Sequence, residues 1–508
     1  MNISLAHFIW LLSLKIDDFK FKYFLNKPQV IQEKILKKYL KKNKNTKYGK
    51  KYKFSKIKSV RQFQNTVPIV EYDDIKNYID DIKFGKKNVL SYEDPLFFEE
   101  TTGTNNISKL IPYNSILKKE FISAIGPWMS SLNRNFNGIF KGKSYWSISP
   151  VLKEKKSSFS SIKIGLESDA EYLNKTGFLL SKHLLLDIKS ENISEKFYIK
   201  SLKKMYREKN LGFISVYSPS FLIQLNNILK NNWDKIIPKK DKISKNAFWS
   251  DIFKNLKLVS CWLDSSSAQF VPEIQSFLGD IVIQPKGLLS TESIVSIPYV
   301  KNYNPLLAIT SHFFEFLSQN DNQVYLSHNL KINEKYEVII STGNGFMRYR
   351  THDIIEVTNY FKSTPTIKFI GRNNKISDVV GEKVSEIFCI KILEKLEAKY
   401  KLSKYNAFFY ISKNKNIFNY NFAIYSSNND LKIKEIDNFI KSNFQNNLYY
   451  NQAVRLKQID NLKTHFISDE FYQKTMNSFF VRKKIKDGDR KPPVLFNLDD
   501  SLELFFNN

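Results

Sequence analysis

The chain has 508 residues, of which 42% are hydrophobic and 15% aromatic, and its formal net charge at pH 7 is +29. This length and composition exclude a small binding module and a disordered chain, and they predict two or three globular units. Lysine is spread along almost every segment instead of forming a basic patch, so we expect no nucleic-acid partner.

Cys261 and Cys389 are the only cysteines in the chain. A single pair at this separation supports neither a disulfide framework nor a zinc site. The six histidines have no metal-ligand spacing either. The cysteine usage therefore favours a reducing, cytoplasmic location.

Residues 5–44 have a helical pattern with an interruption at Asn26-Lys27-Pro28. They fall within a helical N-terminal region that we place at residues 1–60. The apolar run Leu5–Leu14 is too short to span a bilayer, so we expect no stable membrane insertion. We predict an amphipathic helix packed on the body, and the alternative is a helix that lies on a membrane surface.

From about residue 90 the pattern changes to short apolar runs that alternate with helical stretches. Strands are predicted at 145–148, 213–217, 256–260 and 281–283, which favours a layered α/β body with a largely parallel sheet. After Gly371-Arg372-Asn373-Asn374 we predict helices at 383–400 and 431–444. Strands are predicted near 408–411, 422–425 and 453–456. The sequence thus predicts a large domain at 1–373 and a small, mobile α+β domain at 374–508.

The segment Thr101-Thr102-Gly103-Thr104, which leads to Lys109, is the richest candidate site. Hydroxyl groups, a flexible glycine and a cation are suited to binding phosphates, although the same residues are also typical of a threonine-rich turn. The segment lacks the spacing of a Walker loop, so an ordinary P-loop NTPase is not indicated.

A second candidate is Ser290-Thr291-Glu292, which follows the predicted strand at 281–283. A carboxylate at the carboxyl end of such a strand is well placed to hold magnesium beside phosphates. The alternative is a helix N-terminal cap.

Two further candidates are Asp353 and Arg372. Asp353 follows an apolar strand pattern and is predicted to accept the ribose hydroxyls, unless Arg348 or Arg350 pairs with it and merely stabilises the fold. Arg372 lies at the predicted junction between the domains, where it would contact phosphate or ribose.

The order of these motifs resembles that of the GH3 family of acyl-acid amido synthetases, within the superfamily of adenylate-forming enzymes. The resemblance extends from about Phe63 to Val494. It also rests on the segments Ser218–Leu222 and Phe313–Phe316, and on Gly371-Arg372 followed by Gly381-Glu382-Lys383. It implies an adenylate-forming fold, with a large N-terminal α/β domain and a small C-terminal α+β domain.

The resemblance also implies roles for individual residues. Glu292 would bind magnesium, and Lys491 in the C-terminal segment would stabilise the charge of adenylate formation. The residues expected to bind ATP are Thr101, Thr102, Gly103, Thr104, Lys109, Ser290, Thr291, Phe313 beside the adenine, Asp353 at the ribose, and Arg372.

The implied reaction activates a carboxylic acid as an acyl-adenylate with ATP and Mg²⁺. The acyl group then passes to an amine, of an amino acid, to form an amide. The alternatives are transfer to a thiol of coenzyme A or a carrier protein, and a non-catalytic nucleotide-binding protein of the same fold. Three residues depart from the family pattern: His352 replaces a usual glycine, Pro493 replaces a usual arginine, and Asn374 replaces an acidic hinge residue of the wider superfamily.

Overall fold

The chain forms two compact units. The larger contains Met1–Tyr217, Gln224–Trp262 and Phe277–Phe369, and the smaller contains Ser218–Ile223, Leu263–Ser276 and Ile370–Asn508. A computed structural model describes residues 2–101, 109–146, 162–165, 174–186, 195–373, 376–380, 382–400, 405–414, 417–426, 433–456, 458–483, 485, 490–497 and 500. The main change of unit along the chain falls at Phe369/Ile370, close to the predicted domain boundary at 373/374.

The described part of the chain contains helices in both units. They are α1 (Ile3–Phe24), α2 (Pro28–Asn43), α3 (Lys47–Lys51), α4 (Val60–Thr66), α5 (Tyr72–Lys83), α6 (Ser115–Asn135), α7 (Lys175–Leu184), α8 (Glu195–Arg207), α9 (Pro219–Asn231), α10 (Trp233–Ile236), α11 (Trp249–Ile252), α12 (Val271–Leu278), α13 (Glu386–Tyr400), α14 (Ile433–Phe444), α15 (Leu448–Arg455) and α16 (Asp469–Arg482). Short 3₁₀ turns occur at Phe54–Lys56, Lys239–Asp241 and Ser265–Phe270.

The strands are β1 (Phe97–Thr101), β2 (Lys109–Tyr113), β3 (Tyr145–Trp146), β4 (Lys163–Ile164), β5 (Phe213–Ser215), β6 (Leu258–Cys261), β7 (Val282–Pro285), β8 (Ser296–Ile297), β9 (Leu306–Leu307), β10 (Phe313–Ser318), β11 (Val324–Leu326), β12 (Lys335–Ser341), β13 (Tyr349–Phe361), β14 (Thr364–Arg372), β15 (Ile376–Ser377), β16 (Val384–Ser385), β17 (Tyr405–Asn414), β18 (Ile417–Ser426), β19 (Ile459–Phe466) and β20 (Leu495–Phe496). In the larger unit they form sheets of order β2-β1-β4, β3-β5-β6-β7 and β11-β10-β12-β13-β14-β9-β8. The smaller unit contains β15-β16 and β19-β18-β17-β20.

The predicted N-terminal helices are confirmed as α1 and α2, which are separated at Leu25–Lys27. Pro28 is the first residue of α2, where its missing N–H costs no helical hydrogen bond. The inner side of α1 packs on the larger unit, as predicted: His7 stacks on Phe140 at 5.2 Å and Phe21 contacts Tyr299 at 4.8 Å. Its outer side is also apolar, however, so α1 is not amphipathic in the ordinary sense.

The predicted parallel sheet is confirmed, because β3, β5, β6 and β7 pair in parallel. The larger seven-stranded sheet was not predicted, and its pairs β10–β11, β10–β12 and β12–β13 are antiparallel. Several of its strands are buried on both faces, as at Val338–Ile340, so they lack the alternation that identifies a half-exposed strand.

In the smaller unit the predicted helices and the strands near 408–411 and 422–425 are confirmed as α13, α14, β17 and β18. The strand predicted at 453–456 is wrong, because Leu448–Arg455 is the helix α15. Asn447 caps this helix by accepting a hydrogen bond from the Tyr450 backbone N–H, and Tyr450 and Ala453 are both buried from the same side. The strand of this region is β19, a few residues later.

Candidate functional site

Strands β1 and β2 form an antiparallel hairpin, and the predicted phosphate segment begins at the last residue of β1. Thr101, whose side chain is outside the described part of the chain, pairs with Lys109 at the end of this ladder. Thr102, Gly103 and Thr104 also lie outside the described residues, so their phosphate-binding role stays a prediction.

Lys109 is held at the base of this hairpin by two aromatic residues. Its ammonium lies 5.5 Å from the centre of the Tyr72 ring, a cation–π contact, and 3.5 Å from the Tyr349 hydroxyl. The Tyr72 hydroxyl in turn accepts a hydrogen bond from the Leu110 backbone N–H at 2.8 Å. These contacts place a positive charge directly after the hairpin loop.

Ser290, Thr291 and Glu292 form a tight turn between β7 and β8. The Ser290 backbone N–H donates to the Ser293 carbonyl at 2.9 Å, and the Ser293 N–H donates to the Ser290 hydroxyl at 3.2 Å. No helix begins here in the described structure, so the alternative of a helix cap is wrong. The Tyr113 hydroxyl donates to the Thr291 carbonyl, which joins this turn to the end of β2.

Glu292 is a buried carboxylate, with 8% of its surface exposed. Within the described part of the chain no group donates a hydrogen bond to it. It lies near Tyr72, whose pKa is raised mainly by burial and to a lesser degree by nearby charges that include Glu292. Tyr72 also contacts the Lys109 ammonium, so a buried carboxylate lies in the same neighbourhood as the predicted phosphate segment, where it could hold a divalent metal ion.

Asp353 lies in an irregular stretch at the start of β13. The register of β12 and β13 shifts between the pairs Ile339–Arg350 and Glu337–Ile354, and Asp353 is 4% exposed. Arg350 ion-pairs with Glu337, with N–O distances of 2.6 and 2.9 Å. The alternative in which Arg350 neutralises Asp353 is therefore not what the structure shows.

Arg348 likewise has another partner. Its guanidinium donates to the buried Glu315 at 3.0 Å and to the carbonyls of Gln64 and Val67 at 2.8 Å. It thereby fastens the start of β13 to β10 and to the C-terminal end of α4. This arginine is a structural residue of the larger unit.

His352, which stands where the family usually has glycine, has φ of 62°. Glycine adopts this left-handed backbone conformation more easily than any other residue, which accounts for the glycine that is usual at this position. The imidazole lies 3.3 Å from Glu337 and 3.5 Å from Glu71, and Arg350 lies beside the same two carboxylates. These contacts hold a non-glycine residue in the strained conformation.

Phe313 lies inside the core at the first position of β10. Its ring is 1% exposed and contacts Phe63 edge to face at 6.0 Å. An adenine ring would reach it only after neighbouring side chains move. Its adenine contact stays a prediction.

The sequence interpretation missed Glu120, a buried carboxylate on α6. It accepts hydrogen bonds from the Tyr39 hydroxyl at 2.6 Å and from the Gly343 backbone N–H at 2.8 Å, and His312 lies 3.1 Å away. Together these groups fix the turn between β12 and β13. A carboxylate within the apolar face of a helix, next to Phe121, is the sequence feature that could have identified Glu120 as a buried, hydrogen-bonded residue.

Lys286 was also missed, although it directly follows β7. It is 3% exposed, donates to the Ser215 hydroxyl at 2.5 Å, and lies 5.2 Å from the ring centres of Trp128 and Tyr217. Tyr217 also contacts Trp262 at 5.2 Å. A cation and aromatic rings thus gather at the carboxyl edge of the parallel sheet, the usual ligand edge of such sheets.

Arg372 and Lys491 belong to the smaller unit. Arg372 is the last residue of β14. Lys491 follows Arg490, which lies 5.3 Å from the Phe480 ring centre and donates to Asn477 at 3.3 Å. The assigned roles of Arg372 and Lys491 at the nucleotide stay predictions.

Two other residues singled out in the sequence also lie in the smaller unit. Glu382, from the motif after Arg372, accepts hydrogen bonds from the Tyr420 hydroxyl and from the backbone N–H groups of Val379 and Val380. It therefore stabilises a turn. Asn374 lies outside the described residues.

Comparison with known proteins decides the family. The GH3 family N-terminal domain matches residues 19–246 and the GH3 family central domain matches residues 305–372, together more than half of the chain. The chain belongs to the GH3 family.

Similar members of the GH3 family share low identity over most of their length. Indole-3-acetic acid-amido synthetase GH3.4 of Arabidopsis thaliana is 23% identical over an alignment 431 residues long, which covers 72% of this chain and 71% of that protein. The 4-substituted benzoates-glutamate ligase GH3.12 of the same plant is 21% identical over an alignment 412 residues long, which covers 70% of this chain and 71% of that protein.

The fold of this GH3 protein matches a solved structure. The AtGH3.15 acyl acid amido synthetase in complex with 2,4-DB superposes with a TM-score of 0.82 at 17% identity, covering 97% of this chain and 96% of that chain. The predicted family is confirmed by the family models. The predicted fold, with a large N-terminal α/β domain and a smaller C-terminal domain, is confirmed by the structural match.

Proposed function

We propose that this GH3 protein activates a carboxylic acid with ATP as an acyl-adenylate and transfers the acyl group to the amine of an amino acid. The observation that carries the proposal is the meeting of three predicted motifs in the larger unit. The Tyr113 hydroxyl at the end of β2 donates a hydrogen bond to the Thr291 carbonyl in the Ser290–Glu292 turn. The Lys109 ammonium, at the start of β2, contacts the hydroxyl of Tyr349, which precedes Asp353 in β13. Family membership supports the same reaction.

In the proposed reaction the substrate carboxylate attacks the α-phosphate of ATP and pyrophosphate leaves. Lys109 would attract the phosphates, Ser290 and Thr291 would bind beside them, and Asp353 would accept the ribose hydroxyl protons. No covalent enzyme intermediate is required. Positioning and charge neutralisation would supply the acceleration, as in other phosphoryl and nucleotidyl transfers.

Magnesium is part of the proposal because Glu292 fits it. Mg²⁺ is usually held by one or two carboxylates and completes its shell with water and substrate phosphates. The described residues contain no cluster of three His, Cys, Asp or Glu side chains for a metal, so the ion would bind together with ATP. When bound, it would neutralise charge on the phosphates.

Lys491 of the smaller unit is proposed to add positive charge during adenylation, as the family resemblance implies. Replacing Lys491 by alanine should abolish adenylation but preserve folding, because the backbone beside it is anchored independently, for example by the Val494 N–H donating to Glu386 at 3.0 Å. Lys474→Ala, at an exposed position of α16, is the matched control.

The acid is proposed to bind at the carboxyl edge of the parallel sheet, near Trp128, Tyr217 and Lys286. Aromatic walls with one buried cation suit an acid with an apolar body.

The two cysteines are buried free thiols, and burial raises the pKa of Cys261 to about 12. Such unreactive thiols fit the reducing cytoplasm that we propose as the location.

The test is ATP–pyrophosphate exchange with a panel of carboxylic acids. We expect exchange with at least one acid, its loss in Glu292→Gln, and its retention in Glu470→Gln, which alters an exposed carboxylate of α16. Intact ATP binding without exchange for any acid would instead establish the non-catalytic alternative. Product masses after incubation with amino acids or coenzyme A then identify the acceptor, and an amide supports our proposal whereas a thioester refutes that part of it.

A further inference from the structure

Helix α1 is apolar on both sides, but only one side is covered. Its inner side buries Ala6, Trp10, Leu14 and Phe21. Its outer side carries large apolar residues that are 36–80% exposed, here called the α1 stripe: Leu5, Phe8, Ile9, Leu12, Ile16, Phe19 and Tyr23. At 3.6 residues per turn these residues fall within an arc of about 100° along the whole helix.

Lysines border the α1 stripe on both sides. By helical position, Lys15 and Lys22 lie along one edge and Lys20 lies along the other. The pKa of Lys20 is lowered mainly by its burial; the nearby charge of Asp17 opposes this, and the charges of Lys38 and Lys34 of α2 add to it. The stripe therefore has a basic rim.

The acidic residues of α1 face away from the stripe. Asp18 is 7% exposed, accepts a hydrogen bond from Arg134 of α6 at 2.6 Å and another from the Tyr299 hydroxyl at 2.9 Å. Asp17 also faces α6, where its Cβ lies next to Gly126. Asp18 also forms an ion pair with Lys22 at 3.3 Å, and the charge of Asp17 acts on Lys20. Lys15 of α1, with Lys34 and Lys38 of α2, therefore supplies the remaining positive charge of the rim.

Helix α7 extends the same surface. Asn174, the cap of α7, donates to the Ser13 hydroxyl at 2.9 Å, one turn from Ile16. Beyond this contact Phe178 and Leu179 are 50% and 77% exposed. The flanking Lys175 and Lys182 of α7 are exposed too, so the extension repeats the pattern of apolar centre and basic edge.

We propose that the α1 stripe, with Phe178 and Leu179, is a lipid-binding surface that docks the protein reversibly on an anionic membrane. Large apolar residues bordered by lysines are what an interfacial helix uses, with the apolar side chains in the acyl boundary and the ammonium groups at the headgroups. No described helix is long and apolar enough to cross a bilayer, so α1 would lie in the plane of the interface.

An anionic bilayer complements this surface better than a second copy of the chain does. A symmetric contact between two copies would bring two basic rims together, on proteins that each carry a formal charge of +29. A bilayer supplies the opposite charge and an apolar interior together.

The test is co-sedimentation of the full chain with vesicles of phosphatidylcholine alone or of equimolar phosphatidylcholine and phosphatidylglycerol. We expect binding only to the anionic vesicles, weakened several-fold when salt shortens the screening length from about 10 Å to about 3 Å. The double variant Ile16→Ser with Phe19→Ser should bind roughly a hundredfold more weakly, because each large apolar side chain removed from water contributes about tenfold.

The matched control is Leu448→Ser with Val481→Ser, which removes two apolar side chains that are 80% and 67% exposed, against 80% and 73% for Ile16 and Phe19. It should bind like the parent, and circular dichroism melting should show both variants folded. Equal binding to both vesicle types would overturn the proposal. Unchanged vesicle binding of the α1 variant would also overturn it. A further refuting result would be a parent protein that binds no vesicles but forms a dimer in sedimentation velocity, with the α1 variant monomeric.

Discussion

Replacing Glu337 by glutamine tests how the larger unit positions Asp353. Both Glu337 oxygens accept hydrogen bonds from Arg350, and His352 lies 3.3 Å from one of them. Arg350 and His352 flank the irregular stretch that carries Asp353. Glutamine keeps the shape of the side chain but removes the charge that holds both neighbours.

The expected loss follows from the acidity of Glu337. Burial opposes its ionisation, but hydrogen bonds from His352 and Arg350 lower its pKa from 4.5 to about 2. Each pKa unit is about 1.4 kcal/mol, so the ionised carboxylate contributes about 3 kcal/mol to stability. Because Arg350 is 31% exposed and partly screened, we expect roughly 2 kcal/mol. This contribution is complete above pH 4.5 and is lost as the pH falls through about 2.

Urea unfolding at pH 7 and steady-state kinetics measure the two consequences. Glu337→Gln should lower the free energy of unfolding by roughly 2 kcal/mol, and it should raise KM for ATP several-fold while changing kcat less, since Asp353 is assigned to the ribose. The control is Glu356→Gln, which breaks a 3.8 Å ion pair with Lys335 in the same strand pair. Such half-exposed pairs contribute about 1 kcal/mol or less. Equal stability of the two variants at pH 7, with unchanged KM for ATP, would refute the reasoning.

Other variants test the supports of the site and of α1. Gly343→Ala should destabilise the protein by about 1 to 3 kcal/mol in urea unfolding, because a Cβ there would lie 2.3 Å from Ile116 Cγ2. Tyr113→Phe removes the hydrogen bond to Thr291, so pyrophosphate exchange should slow several-fold with a stability loss of about 1 kcal/mol. Burial lowers the pKa of His7 from 6.5 to about 4, so the free energy of unfolding should fall by up to roughly 3 kcal/mol as the pH drops from 6.5 to 4. Hydrogen exchange of α1 should show this pH dependence in the parent and lack it in His7→Phe.

The sequence by itself determined the family, the order of the motifs and the elements with strong local signals. Helices α1 and α2 were predictable because a helical pattern is interrupted by Pro28. The strands of the parallel sheet were predictable because short apolar runs alternate with helices. The GH3 family was recognisable because several weak motifs occur in a fixed order, which needs no coordinates.

The tertiary structure decided what depends on contacts between distant segments. Glu120 meets Gly343 across more than two hundred residues, and no local pattern encodes such a pairing. The partners of Arg350 were ambiguous in sequence because several acids were available, and only the register of β12 and β13 selects Glu337 over Asp353.

The same distinction applies to α1. Its sequence shows apolar residues on all sides, but which of them are covered depends on the packing of α6 and α7 against the helix. Burial is a property of the neighbours that a residue acquires on folding, so the exposed α1 stripe became visible only in the folded chain.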